Sequence, residues 1–282
     1  YNRTMFSEDG GKYNLPTNFE EFFEHGEQAK QDGISLFTYP TAGYFDTFSF
    51  GLFHEIGGTE LFDKLMNYDV DAWTNEVDSY FENIGKLKDY LEPNTVSQAN
   101  LEGFTKNQLA VMENKALFMP NGSWIVSEME DALASESVAE DFKWGFMALP
   151  AMEAEGDRYA TSFFEQCFIP ADTEEPELAK DFIAYLYSDE AVKIFAEHGQ
   201  IQPVADVDQF FTDEDMKHVY GIYNEDVKVA MGGFAAPPSV EGVSVSEALF
   251  DAVDSVMSGQ ITVDEWKDGV VSAVTAFSEA KE

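Results

Sequence analysis

The residue patterns that most often signal catalysis or metal binding are incomplete in this chain. His54 and Glu55 begin the HExxH pattern of zinc proteases, but Gly58 stands where the second histidine would be. Asp69 begins a stretch similar to a calcium-binding loop, in which Trp73 occupies a ligand position and the loop glycine is missing. The sequence contains neither a glycine-rich phosphate loop nor a GxSxG nucleophile motif. We therefore expect no catalytic residue, no metal site and no cofactor.

Carboxylates are the one abundant reactive group. The chain has 54 Asp and Glu against 16 Lys and Arg, a formal net charge of −38. A pair of carboxyl groups can hydrolyse a glycosidic bond, but among so many acids some lie close together in any fold, so their abundance does not indicate such a pair. A field of this sign disfavours nucleic acid and anionic membrane surfaces as partners, and it suits a neutral or cationic ligand.

Aromatic side chains make up 15% of the residues; most of them are expected to form a Phe-rich core, and the excess hints at a stacking surface. The single cysteine, Cys167, excludes an intramolecular disulfide, and the apolar run at 166–169 predicts a buried strand with an inert thiol. No apolar run is long enough to predict a transmembrane helix, and no signal peptide precedes Tyr1. We expect a mature form or a fragment.

Helix boundaries are marked by capping residues. Thr17 and Glu20 have the spacing of a capping box at the start of one helix, and Gly33 supplies its C-terminal stop. Thr262 and Glu265 form a second capping box, which opens the last helix. An apolar stripe at helical spacing predicts a further helix over 77–91.

Short apolar runs alternate with these helices. Pro176 opens one more helix, which is predicted to bury Leu178, Phe182, Ile183 and Leu186. The runs of strand length are 34–39, 116–119, 144–149 and 166–169. Helices that alternate with short buried strands indicate α/β layers.

Six stretches, in order, resemble the family of extracellular solute-binding proteins of bacterial carbohydrate ABC importers, which includes the maltose-binding protein. They are YNRTMF at 1–6, LPTNFEE at 15–21, ALFMPNGSW at 116–124, FMALP at 146–150, PELAKDF at 176–182 followed by SDEA at 188–191, and GQITVDE at 259–265. Each is weak alone, but six in the family's order across nearly the whole chain are specific. The family has most of its N-terminal lobe before the position of Tyr1, and that part is missing here.

The resemblance implies a two-lobed α/β fold of the type II periplasmic-binding-protein kind, mainly the C-terminal lobe with part of the N-terminal lobe. Residues 1–148 would be the first segment of the C-terminal lobe, 149–203 the returning segment of the N-terminal lobe, and 204–282 the final C-terminal helices. It also implies a monomeric binding protein, not an enzyme, that holds a carbohydrate and delivers it to a membrane permease. The location implied is extracellular, either anchored to the cell surface by lipid or periplasmic in a Gram-negative host, with the signal region outside this chain.

The candidate ligand-binding residues also come from the resemblance. In this family the tryptophan of the NGxW motif stacks on sugar, which implies that role for Trp124, next to Ser123. Tyr44 follows the 34–39 run, at the place where sugar-binding relatives carry a stacking tyrosine.

Phe163, Phe164 and Glu165 lie where family members approach the ligand. Adjacent residues of a strand face opposite ways, so one of the two phenylalanines is expected to pack in the core. Glu165 is suited to bond sugar hydroxyls or a cationic group. Two alternatives remain open: a carboxylate-based glycoside hydrolase, and a binding protein of the same fold for a peptide, a polyamine or a metal.

Overall fold

The computed structural model describes residues 1–99, 105–163, 165–223, 226–237 and 239–281. Over these ranges helices alternate with short parallel strands, which confirms the predicted α/β class. The helices are α1 (Phe19–Asp32), α2 (Phe45–Met66), α3 (Val70–Asn75), α4 (Asp78–Lys86), α5 (Thr95–Ala99), α6 (Thr105–Met112), α7 (Ile125–Glu128), α8 (Pro176–Leu186), α9 (Asp189–Glu197), α10 (Glu214–Gly221), α11 (Val253–Met257) and α12 (Val263–Lys281). The strands are β1 (Ser35–Phe37), β2 (Ala116–Phe118), β3 (Arg158–Thr161) and β4 (Val227–Ala230). No helix in the described ranges combines the length and the apolar character that crossing a membrane requires.

The strands form two parallel pairs. β1 pairs with β2 in the register Ser35 to Ala116 and Phe37 to Phe118. β3 pairs with β4, and this pair lies against α2. In a parallel pair the carboxyl ends of both strands meet at one edge, so the loops that follow β1 and β2 emerge side by side.

The main core joins the first half of the chain to its last helices. Phe22 of α1 contacts Phe118 of β2, with ring centroids 5.3 Å apart. On the other side of the core, the Trp73 indole N–H donates to the Leu65 carbonyl, and the Trp266 indole N–H donates to the Leu249 carbonyl, both at 3.0 Å. Both tryptophans are fully buried, so their apolar area and their polar atom are satisfied together.

The predicted cap of the last helix is present, and that of the first helix is shifted by one residue. Thr262 and Glu265 exchange hydrogen bonds as a capping box, which confirms the start of α12. At α1 the N-cap is Asn18, whose side chain accepts from the Glu21 N–H at 3.0 Å. The predicted partner Glu20 is wrong by one position, because Glu21 is the residue that reaches back to Thr17.

Two predicted strands are absent from the described structure. Over 144–149 only Trp144 makes a β-bridge, to Asn2. The Leu149 N–H donates to the Tyr159 carbonyl at 2.9 Å, which is a single bond and not part of a strand ladder. The 166–169 run has no regular secondary structure, and Gln166, Cys167 and Phe168 lie at the surface rather than in a buried strand. Apolar runs become strands only where a neighbour pairs with them, and no described strand lies beside this one.

The helix predicted after Pro176 forms as α8 but does not bury its apolar face. None of its residues is buried, and Phe182 is 61% exposed. Phe168, which precedes it, is 84% exposed. The predicted burial is therefore wrong, since in the described part of the chain α8 packs mainly against α9. Burying a side chain of this size stabilises a fold by about 1.5–3 kcal/mol, so the exposed face of α8 forgoes a large stabilisation of the folded state.

We expect Asn18→Ala to lower the free energy of unfolding by about 1 kcal/mol, because the first turn of α1 loses its side-chain acceptor. Urea denaturation followed by circular dichroism measures the change. Glu20→Ala is the matched control: Glu20 is exposed in the same turn, and its replacement should change the free energy by less than about 0.5 kcal/mol. An equal loss in both variants would contradict the observed cap.

Candidate functional site

A cleft of about 990 Å³ opens between the two strand pairs and the segment around α9 and α10. Its size suits a small organic ligand. One wall is the loop after β2, a second is the extended segment before β3, and a third is β3 with the residues that follow it. The main stretches of its lining are 119–125, 144–150, 159–163 and 200–204, with further residues from α10 and β4.

Three aromatic rings meet at the end of the loop that follows β2. The Trp124 indole N–H donates to the Tyr44 hydroxyl at 3.3 Å, and the two rings meet edge to face with centroids 6.1 Å apart. The Phe163 ring meets Trp124 in the same manner at 5.7 Å. Trp124 is half-buried and Phe163 is 53% exposed, so both present ring surface to solvent in the cleft.

Gly122 lets the indole of Trp124 lie close to the backbone. A β-carbon at this position would stand 2.0 Å from a carbon of the six-membered ring of Trp124. Any other residue type would therefore push the ring or the loop aside. The loop is held in part by the Asn121 side chain, which accepts from the Gly122 N–H at 2.8 Å. The orientation of Trp124 thus depends on glycine at this point of the motif.

Side chains of α10 hold the extended segment that forms the second wall. The Phe146 N–H donates to Nδ1 of His218 at 3.2 Å, and the Trp144 N–H donates to the Asp215 carboxylate at 3.4 Å. Burial lowers the pKa of His218, so its ring stays neutral and Nδ1 keeps the lone pair that this bond needs. Burial also raises the pKa of Asp215. These side-chain bonds add to the backbone bonds that Gly145 and Leu149 donate to Tyr1 and Tyr159, and together they fix the wall.

Polar groups in the lining are mostly uncharged. Ser123 and Asn121 lie beside Trp124, and Gln200 and Gln202 face the cleft from the loop after α9. The Ser123 hydroxyl makes no hydrogen bond to any described residue, so it is available to a ligand. The sequence reasoning did not identify the two glutamines. The only local signal there is Gly199, which ends α9 in the left-handed conformation with φ 70° and starts a polar loop.

Four of the five predicted site residues line the cleft: Trp124, Ser123, Phe163 and Glu165. Tyr44 is not among the lining residues and contacts the site through its hydrogen bond with Trp124. Phe164 lies outside the described residues. In the described part of the chain, no group of three or more His, Cys, Asp or Glu is arranged to hold a metal ion.

Glu55, half of the incomplete HExxH pattern, lies apart from the cleft. Burial raises its pKa to about 9, so the carboxyl group is protonated at neutral pH. His54 beside it stacks on Phe62, with ring centroids 3.9 Å apart. Neither residue lines the cleft. Both lie on the side of α2 that packs against β3.

The chain is 27% identical over 210 residues to the diacetylchitobiose-binding protein of Streptomyces coelicolor, a match that covers 70% of this chain and 42% of that protein. The chain thus spans less than half the length of this curated relative.

Solved structures show the same fold. A chitin oligosaccharide binding protein superposes with a TM-score of 0.65 at 20% identity, over 100% of this chain and 69% of the other. A sugar transporter protein of Bacillus licheniformis in complex with stachyose superposes with a TM-score of 0.61 at 16% identity, over 99% of this chain and 70% of the other. These similarities establish the α/β binding-protein fold, present here over part of its length. Residues 1–218 match the family described as bacterial extracellular solute-binding proteins, and the chain belongs to that family.

Proposed function

We propose that this protein binds a carbohydrate in the cleft and delivers it to the permease of an ABC transporter. The observation that carries the proposal is the half-buried indole of Trp124 at the cleft, flanked by Phe163 and next to the free hydroxyl of Ser123. Sugar rings present flat C–H faces that aromatic rings cover and hydroxyls that short polar side chains bond. Similarity to proteins that bind diacetylchitobiose and chitin oligosaccharides supports the same ligand class.

In this proposal the site residues have separate roles. Trp124 and Phe163 cover a sugar face, and Ser123 and Glu165 bond hydroxyl or amino groups. Tyr44 acts behind Trp124, because its hydroxyl accepts the indole N–H and so orients the ring. The protein works as a monomer outside the cell, anchored to the membrane by lipid or free in a periplasm. These assignments extend the extracellular character of the family.

The cleft chemistry favours binding over glycoside hydrolysis. Hydrolysis of a glycosidic bond by carboxyl groups needs an acid and a second carboxylate on either side of the bond. Among the described lining residues, Glu165 is the only carboxylate. A non-sugar ligand, such as a peptide, a polyamine or a metal, is the competing outcome of the binding experiment.

We also propose that residues 149–203 include the returning segment of a second lobe, and that 1–148 and 204–282 form the first lobe. The exposed apolar face of α8 supports this division, since an amphipathic helix normally packs its apolar face against another element, here the rest of the second lobe. The packing of β3 on α2 and its pairing with β4 favour a crossing between the lobes after Thr161, within the 149–203 range.

Trp124→Ala should weaken sugar binding at least about thirtyfold, because the loss of a central aromatic contact costs about 2 kcal/mol or more. A thermal-shift screen against mono- and oligosaccharides measures it. A ligand at 100 times its dissociation constant stabilises the protein by about 2.7 kcal/mol, a shift of several degrees. Leu133→Ala, an exposed apolar residue outside the cleft, should keep the shift. Stabilisation by peptides, polyamines or metals but by no sugar would contradict a carbohydrate ligand.

Gly122→Ala should weaken binding while leaving the fold intact, since the new methyl group displaces the Trp124 ring. Trp73, Trp144 and Trp266 are buried, so collisional quenching by acrylamide reports mainly on Trp124. We expect altered quenching together with weaker sugar binding. Gly269→Ala, where a β-carbon would meet no atom within 4 Å, should change neither. Unchanged quenching in Gly122→Ala would show that the glycine does not set the ring position.

Phe182→Ser tests the second lobe. In the 282-residue chain we expect a change in unfolding free energy below about 0.5 kcal/mol, because Phe182 is exposed. In a chain extended at its amino terminus to the length of the solved relatives, we expect a loss of about 2 kcal/mol or more. Lys180→Ser, a substitution of an exposed residue on the same helix, should be neutral in both. Neutrality of Phe182→Ser in the extended chain would contradict the division into lobes.

A further inference from the structure

We propose that the cleft selects glycans that carry free amino groups, and that Glu165 is the residue that makes this selection. The inference rests on the proposed function and names its ligand class: cationic hexosamine units in preference to neutral sugars, and neutral sugars in preference to acidic ones.

The charges in the cleft carry the argument. Of the described residues that line it, Glu165 has the only side-chain carboxylate, and none is Lys, Arg or His. Uronic, sialylated or phosphorylated sugars would therefore meet no cation among these residues, and they would enter against a carboxylate. Anionic ligands are normally bound through Arg, Lys or backbone N–H clusters.

Nearby cations do not neutralise this carboxylate. Glu165 makes no hydrogen bond and no ion pair with any described residue. On the strand pair beside the cleft, Lys228 is paired with Asp157, and Arg158 is not among the lining residues. The charge of Glu165 is thus available to a ligand.

The position of Glu165 links charge to stacking. It lies two positions after Phe163 along the chain, and the Phe163 ring meets Trp124 at 5.7 Å. A sugar ring that covers these aromatics has its substituents within reach of the same wall. Glucosamine carries an ammonium group when protonated, whereas N-acetylation removes that charge, as it does for lysine. The selection is therefore between two forms of the same sugar.

The charge of the whole protein acts in the same direction. A net charge of −38 attracts cations and repels anions at low ionic strength. Screening reduces this contribution beyond about 8 Å at physiological salt, whereas a contact with Glu165 is screened less. Salt dependence therefore separates the general field from the contribution of the one residue.

The test uses isothermal titration calorimetry with β-1,4-linked tetramers of glucose, glucosamine, N-acetylglucosamine and glucuronic acid, together with the four monosaccharides. The pH is set so that the amine is protonated, and each titration is repeated at low and high salt. Because Glu165 is exposed, we expect the glucosamine ligand to bind about two- to fivefold more tightly than the glucose ligand. The glucuronic acid ligand should bind most weakly.

Matched variants separate the local charge from the net charge. At high salt, where the general field is screened, Glu165→Gln should abolish the preference for glucosamine over glucose, and Glu136→Gln, an exposed residue outside the cleft, should retain it. Equal affinity for glucose and glucosamine ligands in the natural sequence, or a preference that survives Glu165→Gln, would overturn the inference while the proposed sugar-binding function stands. Absence of binding by all eight ligands would overturn the proposed function and this inference together.

Discussion

The parallel pairing of β1 with β2 is the constraint on which the site depends. The register of Phe37 with Phe118 puts the carboxyl ends of both strands at one edge of the pair. The turn that contains Tyr44 follows one strand, and the loop that ends at Trp124 follows the other, so the two rings meet although 80 positions separate them in the chain. Both strands are buried on nearly every residue, so shifting one of them by a single residue would bring different side chains opposite each other in the packed core.

Burial of aromatic side chains holds this pair in place. Phe22, Phe37 and Phe118 pack together, with the Phe22 ring 6.4 Å from Phe37 and 5.3 Å from Phe118. Most of the aromatic excess is therefore used in the core, and only a small part of it forms a binding surface. Composition cannot separate the two uses, because a phenylalanine contributes the same count in either place. Exposure separates them: among the lining rings Phe163, Tyr187 and Tyr223 are exposed, and Trp124 is half-buried.

Local patterns predicted the helices well because a helix makes most of its hydrogen bonds within itself. The Thr262 and Glu265 box and the stop at Gly33 are decided by a few neighbouring residues, and both are present in the structure. The 166–169 run shows the limit of such patterns. A strand needs a partner, and whether an apolar run is buried depends on chain that lies elsewhere in the sequence. The same reasoning applies to Phe182, whose spacing predicts an apolar helix face but cannot state what covers it.

The site residues that were predicted come from the resemblance to the family. Trp124 and Ser123 belong to one of its motifs, and Phe163 and Glu165 were placed by their position in it, whereas Gln200 and Gln202 line the cleft from the loop after α9, which no local pattern marks.

Net charge is the weakest of the sequence signals for a ligand, since a surface field is screened within about a nanometre in salt. A charge in the cleft lining contacts the ligand at a distance shorter than the screening length, so salt weakens its effect less. One carboxylate among uncharged lining residues therefore says more about the ligand than the other 53 acids, of the 54 in the chain, say together.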